Sequence, residues 1–419
     1  MLRRSNKQSL LSQSTVVITG TSLMSIANLA FNIAAAHLLA PSGYGALSSI
    51  LTVSAIGAVL LNALQMASTH AAAVAGNSDA ANVRAVLATG FLICVAGGAL
   101  LVAFSPLIAA YLRVDVVPVA SMGTWFIPSG MTAMLEGILV GKGRPIGAAV
   151  SMVLGALVRL ASGLVVLELG GGVTGAVLAS LAGAIATMLL LVTWLQEDIR
   201  RSEKGLRLRL DSSLRSLSCL LGYSVFAAAD LALARHYYPP RIAGYYAAGS
   251  TAGRAALYLP TAVALVTFPA IARQARSGGS SSRRLMVVSA FVTAALGAVP
   301  AVVLSAVPGF AMRTIFGSTY GDGATVVILL TWSACGLAVI AIVSRQFVAL
   351  GSAYAHVPWV ANVIFVGSVL LVGPQRGTTS IASCFLGSTI FIILILVWAT
   401  LRMPTGQRVD DQEPSEVLP

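Results

Sequence analysis

The chain has 419 residues, of which 57% are hydrophobic and 10% charged, and its formal net charge is +12. A soluble globular chain carries about 25% charged residues, and no stretch here is polar enough, for long enough, to build a soluble domain. Those figures exclude a soluble enzyme and define an integral membrane protein.

In chain order, a basic start at residues 1-13, with Arg3, Arg4 and Lys7, leads into the first of twelve apolar runs. About 20 such residues cross roughly 30 Å of hydrocarbon as a helix. The runs cover 14-39, 46-74, 86-110, 117-140, 146-167, 173-195, 216-238, 243-271, 286-309, 324-348, 353-373 and 379-401. The first is longer than a signal-peptide core of about 7 to 15 residues and leads into Pro41 rather than a small-residue cleavage site, so it reads as a retained helix. Many runs are rich in Gly and Ala, which lets helix backbones approach closely where the hydrophobic effect no longer drives association. The expected fold is an all-α polytopic membrane protein of about 12 transmembrane helices.

Lysine and arginine gather on one side of that topology. With both termini cytoplasmic, the inner segments carry Arg3, Arg4, Lys7, Arg84, Lys142, Arg144, Arg200, Arg201, Lys204, Arg207, Arg209, Arg215, Arg273, Arg276, Arg283, Arg284, Arg402 and Arg408. The outer segments carry only Arg113, Arg241, Arg313 and Arg376. The positive charge is thus explained by topology and contact with anionic lipid, with no nucleic acid as partner. Tyr44, Tyr111, Tyr237, Tyr238, Tyr245, Tyr246 and Tyr320 read as an outer aromatic belt, and Trp194 and Trp398 as an inner one.

Two stretches repeat. "HLLAPSGYGALSSI" from His37 and "HYYPPRIAGYYAAGS" from His236 share H-x-x-x-P-x-x-x-G at a constant offset of 199 residues. The same offset maps Arg84 onto Arg283. The chain therefore reads as two copies of a six-helix unit: an N-lobe at 14-195 and a C-lobe at 216-401. A charged cytoplasmic linker at 196-215 joins them, and a cytoplasmic, disordered tail follows at 402-419. Six is even, so both copies enter the membrane in the same sense, related by an axis along the membrane normal. In each copy the motif falls at the outer corner between the first two helices. Proline stops a helix there, and glycine supplies the positive φ that a tight reversal needs.

Ionisable residues at membrane depth are costly and mark function. Arg159 lies near the midplane of the fifth run. Asp230 and Arg254 lie at depths differing by about 3 Å on adjacent antiparallel helices, as a structural ion pair or as a titrating and ligand-binding one. Arg235 and Arg345 are nearer the boundaries, where they can snorkel or contact a ligand. Arginine suits phosphate because its planar fork binds two oxygens at once. His37 and His70 are proton carriers or interfacial hydrogen-bonding groups. Glu136, close to Lys142 and Arg144, is a snorkelled pair at an inner gate or an ion site. Pro128, Pro260 and Pro300 interrupt helices, as hinges or by packing.

"GILVGKGR" from Gly137 has three residues between its glycines, where a phosphate-binding loop has four, and lacks Ser or Thr after its lysine. Cys94, Cys219, Cys335 and Cys384 sit in or beside apolar runs, which suggests packing rather than disulfides or a metal cluster. No catalytic motif appears and no long outer loop is available to carry one. A non-enzymatic carrier without cofactor or metal is expected, with a proton or sodium gradient as the source of coupling.

"HLLAPSGYGALSSI" resembles the first-hairpin signature of the polysaccharide transport (Wzx-type) branch of the multidrug/oligosaccharidyl-lipid/polysaccharide (MOP) exporter superfamily, with His37 where that family often has arginine. Residues 229 to 273 and "IFGSTYGDGATVVILL" from Ile315 are similar to its later motifs, in order and spacing. The resemblance implies two pseudo-symmetric six-helix lobes of the multidrug and toxin extrusion (MATE) plan. It also implies a flippase of the bacterial cytoplasmic membrane that carries an undecaprenyl-diphosphate-linked oligosaccharide by alternating access, for polysaccharide biosynthesis. Expected partners are the lipid-linked glycan, membrane lipids, and a polymerase or glycosyltransferases. A MATE-like drug antiporter and a peptidoglycan-precursor flippase are the alternatives. The four deep arginines against Asp230 and Glu136 favour an anionic cargo over cationic drugs.

Overall fold

The computed structural model describes residues 2–75, 83–200, 214–255, 281–374 and 377–402. These form thirteen α-helices: α1 (Leu2–Leu38), α2 (Pro41–Ala75), α3 (Val83–Leu112), α4 (Val116–Gly141), α5 (Pro145–Glu168), α6 (Gly172–Arg200), α7 (Leu214–Tyr237), α8 (Pro240–Ala255), α9 (Ser281–Ala306), α10 (Pro308–Phe316), α11 (Ala324–Ala349), α12 (Val357–Val372) and α13 (Ser380–Leu401). Two 3₁₀ turns, Ser318–Gly323 and Ala353–His356, precede α11 and α12. Pro260, most of the 196-215 linker and nearly all of the 402-419 tail lie outside the described residues.

Ten of these helices are long and apolar enough to cross a membrane, which makes the chain a multi-pass membrane protein. Twelve were expected; α4 and the sixteen described residues of α8 are not among the ten. The reason for α4 is its composition, in which Glu136, Pro118, Pro128 and four glycines lower the mean hydropathy. It packs against α2, α3, α5 and α6, so Glu136 and its glycines face protein rather than lipid.

The six-helix repeat is visible in the packing. In the first group α1 packs on α5, α2 on α4, α3 on α4, α4 on α6, and α5 on α6. The second group repeats each pairing: α7 on α12, α8 on α11, α9 on α11, α11 on α13, and α12 on α13. The added element is α10, a nine-residue helix within the outer stretch that was expected to be loop. Between the groups, α2 packs on both α7 and α8.

Pro41 and Pro240 start α2 and α8, where a missing N–H costs nothing and a fixed φ favours the helix. The glycines four residues on were expected to supply a positive φ; neither does. Both are helical, and they meet each other. A methyl group on Gly45 would lie 2.9 Å from the Gly244 Cα and amide nitrogen, and one on Gly244 would strike the Pro41 carbonyl. The sequence repeat is thus a contact between equivalent points of the two groups, where only glycine lets the backbones approach.

Two buried cores follow from this. One joins both groups where α1 turns into α2, linking Phe31, Tyr44, Leu47 and Ile50 to Phe226, Leu231, Tyr246 and Phe316, and continues through the second group to Phe347 and Leu396 near the far ends of α11 and α13. The other, with Leu64, Phe126, Met134 and Leu195, belongs to the first group alone and lies toward the opposite end.

Candidate functional site

Beside the packing of α2 on α7 and α8, the seam between the groups carries helix C-termini that are capped from across it. The last carbonyls of a helix have no partner within it. Those of α3 accept from the second group: His236 Nδ1 donates to the Tyr111 carbonyl at 2.8 Å, while Arg235 Nε and Nη2 donate to the Leu112 and Arg113 carbonyls at 3.0 Å each. Arg113 itself holds a left-handed φ of 51°, so the Arg235 fork braces a turn in a sparsely populated conformation. In the other direction, His37 Nε2 donates to the Ile315 carbonyl of α10 at 3.0 Å, and the Tyr320 hydroxyl to the Ala36 carbonyl of α1 at 3.1 Å. His37 and His236, equivalent in the repeat, therefore reach across in opposite directions to equivalent corners.

Aromatic rings fill the space behind these caps. Tyr44 stands perpendicular to Tyr320 at 6.2 Å and shares a 2.8 Å hydrogen bond with Thr251 of α8. Phe316 and Tyr245 pack on Tyr320 at 6.1 and 6.0 Å. Tyr44, Tyr238, Tyr245, Tyr246 and Tyr320 are buried, which corrects their reading as a lipid-interface belt. A tyrosine at a helix corner satisfies that pattern equally whether its ring meets lipid or another helix. His236, Tyr44, Phe316 and Tyr320 are thus seam residues that the sequence did not place in a site: Tyr44 and Tyr320 read as belt residues, and His236 only as part of the repeated motif.

Deeper in the second group, Asp230 is 1% exposed and paired with Arg254 at 2.9 Å. Arg254 also donates to the Ala227 carbonyl, and the Tyr246 hydroxyl approaches the other carboxylate oxygen at 3.5 Å. Arg254 remains part-exposed, and Arg345 on α11 is exposed. α8 packs on α11, and α7 on both, so Arg254 and Arg345 are carried on neighbouring helices, with Asp230 countering the first of the two charges.

The first group holds Arg159 and Glu136 apart from that cluster. Arg159 donates to Asn28 Oδ1 of α1 at 3.1 Å, and its guanidinium lies 4.2 Å over the Phe31 ring. Glu136 was expected to pair with Lys142 or Arg144. Those two instead take Asp198 of α6, at 2.5 and 3.8 Å, because Lys142 and Arg144 lie past the end of α4, beside the last turns of α6. The Glu136 carboxyl meets Ser151 of α5 and Gln65 of α2. His70 is exposed near the far end of α2. Pro128 and Pro300 lie inside α4 and α9. Among the described residues no three His, Cys, Asp or Glu side chains gather as a metal site.

No protein-family model matches the sequence, and neither does any curated protein. Solved structures do match. A multidrug resistance MATE family transporter of the MOP superfamily, in an inward-facing conformation, superposes with a TM-score of 0.71 at 16% identity over 90% of this chain and 94% of that one. An outward-facing structure described in the same words gives 0.61 at 16% identity, covering 94% and 95%. A MOP superfamily transporter from Pyrococcus furiosus, described as having a binding pocket of reverse polarity that suggests a different function, gives 0.64 at 15% identity, covering 94% and 95%. The fold is that of the MATE transporters of the MOP superfamily.

Proposed function

We propose that the protein is a transporter that moves an anionic lipid-linked oligosaccharide, a polyprenyl diphosphate bearing a sugar unit, across the bacterial cytoplasmic membrane by alternating access. The observation that carries the cargo assignment is the two accessible guanidinium groups, Arg254 and Arg345, on the neighbouring helices α8 and α11, set against the single carboxylate of Asp230. Guanidinium groups take diphosphate oxygens in pairs. Arg159 contributes a further cation from the first group. A cationic drug would meet net repulsion here, and a neighbour whose pocket is described as reversed in polarity makes such a departure within this fold reasonable.

The seam supplies the gate. The groups are sealed where α1 turns into α2, and the higher TM-score belongs to an inward-facing neighbour; together with the arginine distribution, this supports a state closed to the outside. Helix-end carbonyls suit a gate facing water, because water replaces the caps when the seam parts.

Binding measured in lipid nanodiscs tests the cargo. A polyprenyl diphosphate oligosaccharide should bind, and Arg345→Ala should weaken it by about 10- to 100-fold, the loss of a charged hydrogen bond. Tight binding of a cationic dye, with no binding of the lipid diphosphate, would return the protein to the drug-antiporter reading.

A further inference from the structure

In the second group α9 and α13 both pack on α11 and hardly on each other, and a cavity of about 610 Å³ opens between them. Met286, Val343 and Leu396 form its buried floor, while Phe291, Ile390 and Leu401 stand exposed along its rim. Side-chain size is the reason for the space: the 199-residue offset sets Ala290 and Ala294 of α9 against Phe91 and Val95 of α3. The α9 wall is held at two heights. Gly297 brings it against Cys335, and nearer its start Gln346 Nε2 donates to Ser289 Oγ at 2.7 Å.

The polar atoms of the lining decide what fits. Four lining side chains, Trp332, Cys335, Thr389 and Thr400, have a hydrogen to donate, and each is already engaged. Trp332 Nε1 donates to Ser305 Oγ at 3.1 Å and Cys335 Sγ to the Ala294 carbonyl at 3.4 Å. The Thr389 and Thr400 hydroxyls donate one turn back along α13, to the Phe385 and Leu396 carbonyls at 2.8 and 2.7 Å. No donor is left for a sugar or a phosphate, and an apolar cavity takes hydrocarbon in preference to water. Its lining on α13, from Leu386 to Leu401, runs about 22 Å beside about 15 Å for half the hydrocarbon thickness, so an acyl chain lies in it lengthwise.

Charge at one end of the groove identifies the headgroup. Arg283 lies three and four residues before Met286 and Val287, which continues the groove face of α9 by one turn. Among the described residues it has no carboxylate partner. Arg402, at the matching end of α13, lies instead over the Trp398 ring at 4.2 Å, and Trp398 is not part of the lining. We propose that the groove between α9 and α13 binds an anionic phospholipid of the cytoplasmic leaflet, with one acyl chain in the cavity and the phosphate on Arg283. That leaflet is the negatively charged one, and its phospholipid is the solvent of this face. Neither Arg254 nor Arg345 lines the groove, so the inference is independent of the cargo.

Trp332 reports occupancy directly, because a brominated acyl chain in the cavity quenches its fluorescence; its share of the signal is the difference between the wild type and Trp332→Phe. In nanodiscs, chain-brominated phosphatidylglycerol should quench at about fivefold lower mole fraction than chain-brominated phosphatidylcholine, the preference that one cation at the surface gives. Arg283→Gln should remove the preference and Arg402→Gln should keep it. Ala290→Phe, which restores the bulk of the first group, should weaken quenching by both lipids; if that variant fails to fold, the two arginine variants decide alone. Equal quenching by both lipids in the wild type, a preference that survives Arg283→Gln or is lost equally in Arg402→Gln, or quenching unchanged in folded Ala290→Phe would each overturn the proposal. So would relief of quenching by polyprenyl phosphate at a fraction where unlabelled phosphatidylglycerol gives none, which would assign the groove to the tail of a transported lipid.

Discussion

Asp230 and Arg254 show at the residue scale what a buried charge demands. Removing one partner leaves the other uncompensated, at a cost of about 3 to 5 kcal/mol, whereas replacing both is often close to neutral. Asp230→Ala should therefore lower the melting temperature in detergent more than Asp230→Asn/Arg254→Gln does. Equal loss from both would show that the pair contributes nothing through its charge. Their nearness was legible from depth alone, since residues at similar heights on antiparallel neighbours can meet. The partner of Glu136 was not legible. Sequence distance put Lys142 six residues away, but a helix turns 3.6 residues per turn, and the end of α6 competes for that cation from elsewhere in the chain.

At the scale of elements, α2 and α8 cross at Gly45 and Gly244. Gly244→Ala places a methyl against the Pro41 backbone, which cannot yield as a flexible side chain would. Spin labels placed across the seam should separate in this variant, while Gly309→Ala, which meets open space, should leave them in place. The histidine caps add a graded version of the same test. Each cap is a hydrogen bond worth about 1 kcal/mol net, so His37→Ala and His236→Ala should each shift the closed population by roughly fivefold. The double variant should shift it by the product, provided the two corners are independent. The glycine positions were plain in the repeat. Their use in a cross-helix contact was hidden, because a glycine for a turn and a glycine for close approach look alike in one dimension.

The whole molecule is a doubled six-helix unit, and its orientation is open to a direct test. Reporter fusions after Gly143 and at the C-terminus should fall on the cytoplasmic side, and one at Gly170 on the opposite side, as the lysine and arginine asymmetry requires. Fusions at Gly143 and Gly170 reporting the same side would break the span assignment.

The sequence by itself determined the membrane class, the helix positions to within a few residues for most spans, the 199-residue repeat and the side on which basic residues gather. Each of these is a local or periodic property: apolar length, proline and glycine punctuation, and charge between spans. Only the tertiary structure decided that the repeated glycines touch, that the corner tyrosines seal a seam, and that Arg235, His37 and His236 cap helices in the opposite group. It alone separated Glu136 from its basic neighbours. Those outcomes depend on which helix faces which, and in lipid every face is apolar enough to pack, so hydrophobic patterning could not choose among them.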